Sequence, residues 1–243
     1  MQVIDVTAAA GISWIKQSFL LFRQRPIHWI GLTSSWLLVS LGMLAIPGVG
    51  LPLFAISQPA LCAGMMLAAR EQDMGRPFGM GHLFAAFQVN GRALLTLGSI
   101  IFLAELTVTY VLDLMGFPSG IPLTADNQPD LQALSQNLQA NLPLLAFGIA
   151  AMMLIKGIFW FAPPLLAFNP ITVTHAIRWS LYAFISNISA MLTFALATLA
   201  LFLLASLPWG LGMLIALPLF MMSNYVSYRH VFQPQDTHEI PIG

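Results

Sequence analysis

The chain has 243 residues, of which 58% are hydrophobic and only 7% are charged, and its formal net charge is zero. Soluble domains carry about 25% charged residues, so this composition excludes a surface that faces water throughout and predicts one that mostly faces lipid. The neutral balance argues against nucleic acid as a partner, and the single cysteine, Cys62, excludes an internal disulfide and a cysteine-cluster metal site.

The N-terminus lacks the pattern of a cleaved signal peptide. Asp5 is the only charge before the first apolar stretch, and the basic residues Lys16, Arg23 and Arg25 come after it. We therefore expect a mature N-terminus.

Six apolar stretches have about the 20 residues that a helix needs to cross a bilayer. They lie at 27–46, 49–69, 93–115, 143–167, 188–206 and 209–228. Short connections built on Pro47-Gly48 and on Pro208-Trp209-Gly210 predict that the first pair and the last pair are tight antiparallel hairpins. The sequence thus predicts an all-α, polytopic bundle of six transmembrane helices in a single membrane domain.

The basic residues predict the orientation of these helices. The loop 116–142 has two aspartates, Asp126 and Asp130, and no Lys or Arg. The positive-inside rule therefore predicts that both termini and the tail 229–243 are cytoplasmic and that this loop is outside. Lys156 is the one basic residue that the scheme does not place. The other eight all fall on one side: Lys16, Arg23, Arg25, Arg70, Arg76, Arg92, Arg178 and Arg229.

Four shorter segments are apolar on one helical face. Three precede a predicted span on the cytoplasmic side and are either interfacial helices or cytoplasmic extensions of the spans. The fourth lies in the outer loop and predicts a short helix that caps the bundle or binds a partner. The residues on these faces are Ile12, Ile15, Phe19 and Phe22, then Leu83, Phe84 and Phe87, then Val173, Ile177, Leu181 and Phe184, and finally Leu131, Leu134 and Leu138.

A repeated motif indicates an internal duplication. The tetrapeptide LPLF occurs at 51–54 and again at 217–220, and Ser57-Gln58 and Ser223-Asn224 follow it at the same distance. A degenerate copy has Pro164, with Asn169 at the polar position. We predict three units, each an interfacial helix plus a helical hairpin, at about 7–70, 78–170 and 172–232. All three units start in the cytoplasm, unlike the inverted repeats of many transporters.

Proline and small residues suggest how the hairpins pack. We expect Pro52, Pro164 and Pro218 to bend their helices, and the polar residues after them to bond freed carbonyls or to anchor the helix ends. Ala60, Gly64 and Ala68 stand four residues apart and allow close helix contact.

Two full charges, Glu105 and Lys156, lie well inside predicted spans. An isolated charge at the bilayer centre costs at least ~2.5–3.5 kcal/mol. Both residues lie about 20 Å from the cytoplasmic end of their helices, so an ion pair is geometrically reasonable. The pair either sets the helix register or lines a path for an ion or proton.

The remaining polar residues form no recognised chemical site. The motifs of nucleophile elbows, zinc proteases, P-loops and dinucleotide-binding folds do not occur, so we predict no enzyme, no cofactor and no metal. The densest charge cluster, at 70–77, is typical of a solvated cytoplasmic turn.

Several short motifs occur together along nearly the whole chain. They are Trp14, Phe19 and Phe22 before Pro26; AGMMLAAR at 63–70; Gly75-Arg76-Pro77 before His82-Leu83-Phe84; FWFAP at 159–163; and Ser227-Tyr228-Arg229 before Val231-Phe232. In these motifs the chain resembles an uncharacterised family of bacterial, mainly proteobacterial, inner-membrane proteins. The resemblance implies six spans and an inner-membrane location, and it implies no catalytic residues. An acidic residue commonly follows the motif's arginine in that family, whereas this chain has His230.

The sequence therefore favours a non-enzymatic membrane protein that acts through lipid and helix contacts, such as an accessory, assembly or scaffold subunit of another membrane protein or complex. The alternative is a transporter or channel for a small solute or lipid, with a path near Glu105 and Lys156. A water-accessible cavity reaching that pair would favour transport, and a dry, directly paired contact would favour a scaffold.

Overall fold

The computed structural model describes residues 2–117, 122, 128–207 and 209–232, and the regular structure in these ranges is helical. Predictions about Asp126, Pro208 and the tail from 233 onward lie outside the described residues. The helices, in chain order, are α1 Ala10–Gln24, α2 Pro26–Leu44, α3 Gly50–Asp73, a 3-10 helix Met80–Phe84, α4 Ala85–Leu114, α5 Leu131–Ala140, α6 Leu142–Ile158, α7 Ala162–Phe168, α8 Val173–Ser186, α9 Ile188–Ser206 and α10 Met213–Phe232.

Five helical segments in the described part of the chain are long and apolar enough to cross a membrane. This confirms the coarse prediction of an all-helical membrane protein. The segments are Pro26–Leu44, Gly50–Asp73, Met80–Leu114, Leu142–Phe168 and Ile188–Ser206.

The sixth predicted span corresponds to α10, which does not belong to that group. Its second half is polar and includes Ser223, Asn224 and Ser227, yet these side chains are buried. They are buried because α10 packs against α1, α2, α3, α7 and α9 and so forms the centre of the bundle. A helix surrounded by protein can carry polar side chains that a lipid-facing helix cannot.

The amphipathic segments are separated from the spans that follow them by breaks in the backbone. Arg25, between α1 and α2, has φ −142° and ψ 58°. Asn90 interrupts α4 at φ −154° and ψ 45°, and Asn187 separates α8 from α9 at φ −114° and ψ 28°. The segments are therefore not continuous helical extensions of the spans. The helix predicted in the outer loop is present as α5, where Asp130 accepts hydrogen bonds from the backbone N–H groups of Gln132 and Ala133.

Small residues allow α3 to approach its neighbours closely. A Cβ on Gly64 would lie 2.3 Å from the carbonyl oxygen of Leu83, so the predicted small-residue face of Ala60, Gly64 and Ala68 includes a contact with the 3-10 helix. A Cβ on Gly98 of α4 would lie 2.0 Å from Ile56 O of α3. These contacts place α4 against the α3 backbone and position the side chains described next.

Candidate functional site

A cavity of about 570 Å³ lies between α3, α4, the α6–α7 junction and α10. It follows α3 from Leu51 to Met66, which corresponds to about 22 Å along a helix. Its volume falls within the roughly 300–1,000 Å³ that is usual for small-molecule sites. Most of the wall is apolar or aromatic. The polar side chains in the wall include Gln58, Glu105, Thr109, Lys156 and Asn224.

Glu105 and Lys156 form a direct ion pair at this cavity, between the Lys156 Nζ and Glu105 Oε1 atoms. The Lys156 side chain is 64% exposed and that of Glu105 is 23% exposed, so the lysine is at the outer side of the pair and the carboxylate is the more buried. Among the described residues, Glu105 Oε1 has no hydrogen-bond donor beyond this charge contact. The two charges predicted to lie near each other are thus brought together beside an accessible volume.

The helix that carries Lys156 is interrupted immediately after it. α6 ends at Ile158 and α7 starts at Ala162, so the backbone between them needs other hydrogen-bond partners. Ser180 supplies two of these bonds, since its Oγ donates to Ile158 O at 2.6 Å and accepts from Phe161 N at 3.0 Å. Asn224 Nδ2 donates to Trp160 O at 3.1 Å. Side chains from α8 and α10 therefore hold this break in place.

The repeated polar pairs divide into two roles. The serines bond back to their own helices: Ser57 Oγ donates to Leu53 O at 2.7 Å, and Ser223 Oγ donates to Leu219 O at 2.8 Å. Gln58 and Asn224, the second members of the pairs, line the cavity. Their side-chain oxygens, Oε1 and Oδ1, are buried and have no hydrogen-bond partner among the described residues. The prediction that these positions bond freed carbonyls or anchor helix ends does not include this place in the cavity wall.

The third copy of the polar position has a separate role. Asn169 Nδ2 donates to Leu165 O at 3.1 Å and to the Tyr228 hydroxyl at 2.8 Å, and so joins the end of α7 to α10. Asn169 is not part of the cavity wall.

The three repeat prolines, which are predicted to bend their helices, do not occupy equivalent places in them. Pro52 and Pro164 lie in the first turns of α3 and α7, where a backbone N–H has no partner within the helix anyway. Pro218 is inside α10, and Pro59, which the repeat does not predict, is inside α3. Pro59 lines the cavity and removes the N–H that would otherwise bond to Ala55 O.

A second polar cluster lies at the end where α3 stops, outside the cavity. Asp73 pairs with Arg229 and accepts a hydrogen bond from the Tyr225 hydroxyl at 2.8 Å. Arg229 also donates to Gln17 at 3.1 Å. The interpretation of 70–77 as a solvated turn misses this role, since Asp73 joins α3 to α1 and α10. The arginine of the Ser-Tyr-Arg motif thus has an acidic partner from a distant part of the chain.

His230, beyond the last predicted span, packs into the same end of the bundle. Burial, with a smaller effect from the Arg229 charge, lowers the pKa of the His230 imidazole below its ordinary value. The neutral ring keeps a lone pair on Nδ1, which accepts a hydrogen bond from Trp14 Nε1 at 3.1 Å. This bond connects α1 to the end of α10.

Comparison with known proteins gives one similarity across nearly the whole chain. A protein of Burkholderia thailandensis, described as a probable inner membrane protein, is 27% identical over a 264-residue alignment that covers 97% of this chain and 96% of the relative. No family profile matches the chain. No solved structure matches it either. The chain is therefore similar, end to end, to a proteobacterial protein whose description agrees with the apolar helices found here.

Proposed function

We propose that this chain is an integral protein of the bacterial inner membrane that binds and translocates an amphipathic molecule, and that the cavity beside Glu105 and Lys156 is its binding site. The observation that carries the proposal is the composition of this cavity. It combines a long apolar wall with one ion pair and two buried acceptor oxygens without partners, Gln58 Oε1 and Asn224 Oδ1, among the described residues. Most buried polar atoms in native proteins have a hydrogen-bond partner, so unpaired acceptors in a cavity wall favour a ligand there.

The site also has the features of a translocation path. Discontinuous helices in transporters hold irregular backbone only where it is buried in protein or lines a cavity. Here Trp160, in the break between α6 and α7, lines the cavity next to Lys156. A polar region part-way along an apolar cavity lowers the cost of moving a polar head group through the hydrocarbon layer.

The proposed topology has six crossings with both termini in the cytoplasm. The distribution of basic residues supports it, and α10 is long enough, at 20 residues, to make the sixth crossing inside the bundle. The inner-membrane location is proposed from the resemblance and from the description of the Burkholderia relative.

The threefold repeat is also part of the proposal. Each proposed unit contains a short amphipathic segment, a break and then a long apolar helix. The break residues Arg25, Asn90 and Asn187 have related backbone angles, which supports a common origin. The outer loop interrupts only the second unit, which also carries both charges of the cavity.

The second candidate is the accessory or scaffold subunit. It is favoured by the direct contact between Glu105 and Lys156, because an ion pair that is closed within the chain can serve packing alone. Both candidates assume a non-enzymatic protein.

The test of translocation uses purified protein in liposomes that contain phosphatidylcholine, phosphatidylethanolamine or phosphatidylglycerol labelled on an acyl chain, so that the head groups stay intact. A membrane-impermeant quencher measures how fast labelled lipid exchanges between leaflets. We expect faster exchange of at least one lipid than in protein-free liposomes. Ala55→Phe fills the cavity and should slow this exchange about tenfold, whereas Ala200→Phe, at an exposed position on α9, should not.

Exchange at the protein-free rate for every lipid would rule out translocation of these lipids. Co-purification in mild detergent then tests the accessory role. A stoichiometric protein partner in that experiment, together with absent exchange, would make the accessory role the better account.

A further inference from the structure

The buried polar atoms of the cavity wall that lack a hydrogen-bond partner among the described residues share one chemical property. Gln58 Oε1 and Asn224 Oδ1 are hydrogen-bond acceptors, and Glu105 Oε1 has only its charge contact. Among the residues that the structure describes, no buried donor in this wall is without a partner. A ligand that completes the site therefore donates hydrogen bonds, because a buried acceptor without a donor is unfavourable.

The orientation of the Asn224 amide follows from its neighbour and not from the cavity. Its Nδ2 donates to Trp160 O, a carbonyl in the helix break, and this carbonyl can only accept. A flipped amide would place two oxygens against each other, so Oδ1 is the atom of this amide that lacks a partner among the described residues. Asn224 is only 9% exposed, so it is nine-tenths buried with its acceptor oxygen fixed.

The charges of the site restrict the ligand further. Glu105 and Lys156 neutralise each other, so a ligand with a single net charge would leave one uncompensated charge at a mainly apolar cavity wall. A zwitterion adds no net charge. Its cationic part can replace Lys156 at Glu105 and its anionic part can replace Glu105 at Lys156. The 64% exposure of the Lys156 side chain leaves that ammonium accessible to an anionic group.

We propose that the cavity receives a lipid whose head group is a phosphate linked to a primary ammonium, the phosphoethanolamine type. The ammonium N–H groups donate to Glu105, Gln58 and Asn224, the phosphate pairs with Lys156, and an acyl chain lies along the apolar wall beside α3. This inference rests on the proposed function and specifies its substrate class. It also predicts discrimination against a trimethylated nitrogen, which has the same charge but no N–H donor.

The test compares lipids that differ only in the head group. Delipidated full-length protein in detergent is titrated with phosphatidylethanolamine, phosphatidylcholine and phosphatidylglycerol of identical acyl chains, and native mass spectrometry measures bound lipid. We expect phosphatidylethanolamine to bind at least about tenfold more tightly than phosphatidylcholine, which corresponds to one lost hydrogen bond to a buried acceptor. Free phosphoethanolamine should bind far more weakly than the lipid.

Gln58→Leu is the diagnostic variant, since it removes one acceptor and keeps a side chain of similar size in the cavity. It should reduce the preference for phosphatidylethanolamine over phosphatidylcholine several-fold. Ser57→Ala is the matched control, because Ser57 bonds to its own helix and does not line the cavity. Its preference should equal that of the wild type. Thermal unfolding of each variant establishes that the bundle is intact.

The outcomes separate this inference from the proposed function. The head-group inference would be overturned if phosphatidylethanolamine and phosphatidylcholine bound equally tightly and saturably. If Ala55→Phe abolished that binding, the cavity would still be a lipid-binding site. Binding of none of the three lipids would overturn both. Binding of free phosphoethanolamine as tightly as the lipid would overturn the lipid part and assign a soluble zwitterionic amine.

Discussion

At the scale of single residues, the chemistry of the site depends on side chains whose partners are distant in sequence. Asn224 and Gln58 occupy equivalent places in a repeated motif, but only the packing of α3 against α10 brings both to one cavity. The repeat was a usable signal for these positions, since polar residues after a repeated apolar motif are costly in a membrane unless they are buried in protein.

Asp73 is the residue whose role the sequence did not indicate. Its carboxylate pairs with Arg229 and bonds to Tyr225, and the side chains of the pair are only 22% and 29% exposed. Asp73→Asn keeps the shape but removes the charge. We expect it to lower the free energy of unfolding by about 1.5–3 kcal/mol, the contribution of a hydrogen bond to a charged group, measured as a lower thermal midpoint in detergent.

Arg76→Gln is the control for that substitution. Arg76 pairs with Glu71, five residues earlier, and its side chain is 55% exposed. Such surface pairs contribute at most about 1 kcal/mol, so the midpoint should change little. If Asp73→Asn lowered the thermal midpoint no more than Arg76→Gln, the contacts around Arg229 would not contribute measurably to the stability of the packing between α3 and α10.

At the scale of helices, the important feature is close backbone contact beside the cavity. α3 and α4 meet where Gly98 lies against Ile56, and both helices contribute cavity walls. The hydrophobic pattern alone predicts where these helices start and end. It does not predict which glycine meets another backbone, because that depends on the crossing point of two helices.

Gly98→Ala tests this contact directly. The added Cβ would lie 2.0 Å from Ile56 O, so α3 and α4 must move apart. We expect a loss of about 1–3 kcal/mol in the free energy of unfolding and weaker lipid binding, measured by thermal unfolding and native mass spectrometry.

Gly42→Ala in α2 has nothing within 4 Å of the added Cβ and serves as the matched control. It should be neutral or stabilising by up to ~1 kcal/mol, because alanine favours the helix. Equal behaviour of the two variants would show that the α3–α4 contact does not constrain the bundle.

At the scale of the whole molecule, the number of crossings decides where the termini lie. Six crossings place both termini on one side, whereas five would place them on opposite sides. Whether α10 crosses the membrane decides between these two cases. Its second half is polar, but α10 lies at the centre of the bundle, where other helices surround it.

Single cysteines introduced at Gln2, Gln132 and Gln235, in a Cys62→Ala background, test this topology. In spheroplasts, a membrane-impermeant maleimide should label only Gln132→Cys, and the other two should react only after the membrane is permeabilised. Labelling of Gln235→Cys in intact spheroplasts, with Gln2→Cys still protected, would show five crossings.

The sequence by itself determined the class of the protein and much of its element order. Low charge, long apolar stretches and helical periodicity predict a helical membrane protein, since a lipid-facing backbone must satisfy its hydrogen bonds within helices or closed barrels. The location of the two intramembrane charges on α4 and α6 also follows from this pattern, as does the helix in the outer loop.

Only the tertiary structure decided what these elements build. It placed α10 at the centre, broke the fourth apolar stretch between α6 and α7, and brought Gln58 and Asn224 into the same cavity wall as Glu105 and Lys156. The physical reason is that apolar patterning is local, whereas a cavity arises where helices from distant parts of the chain fail to fill the space between them. No local pattern records that space, so the site appears only once the helices are packed.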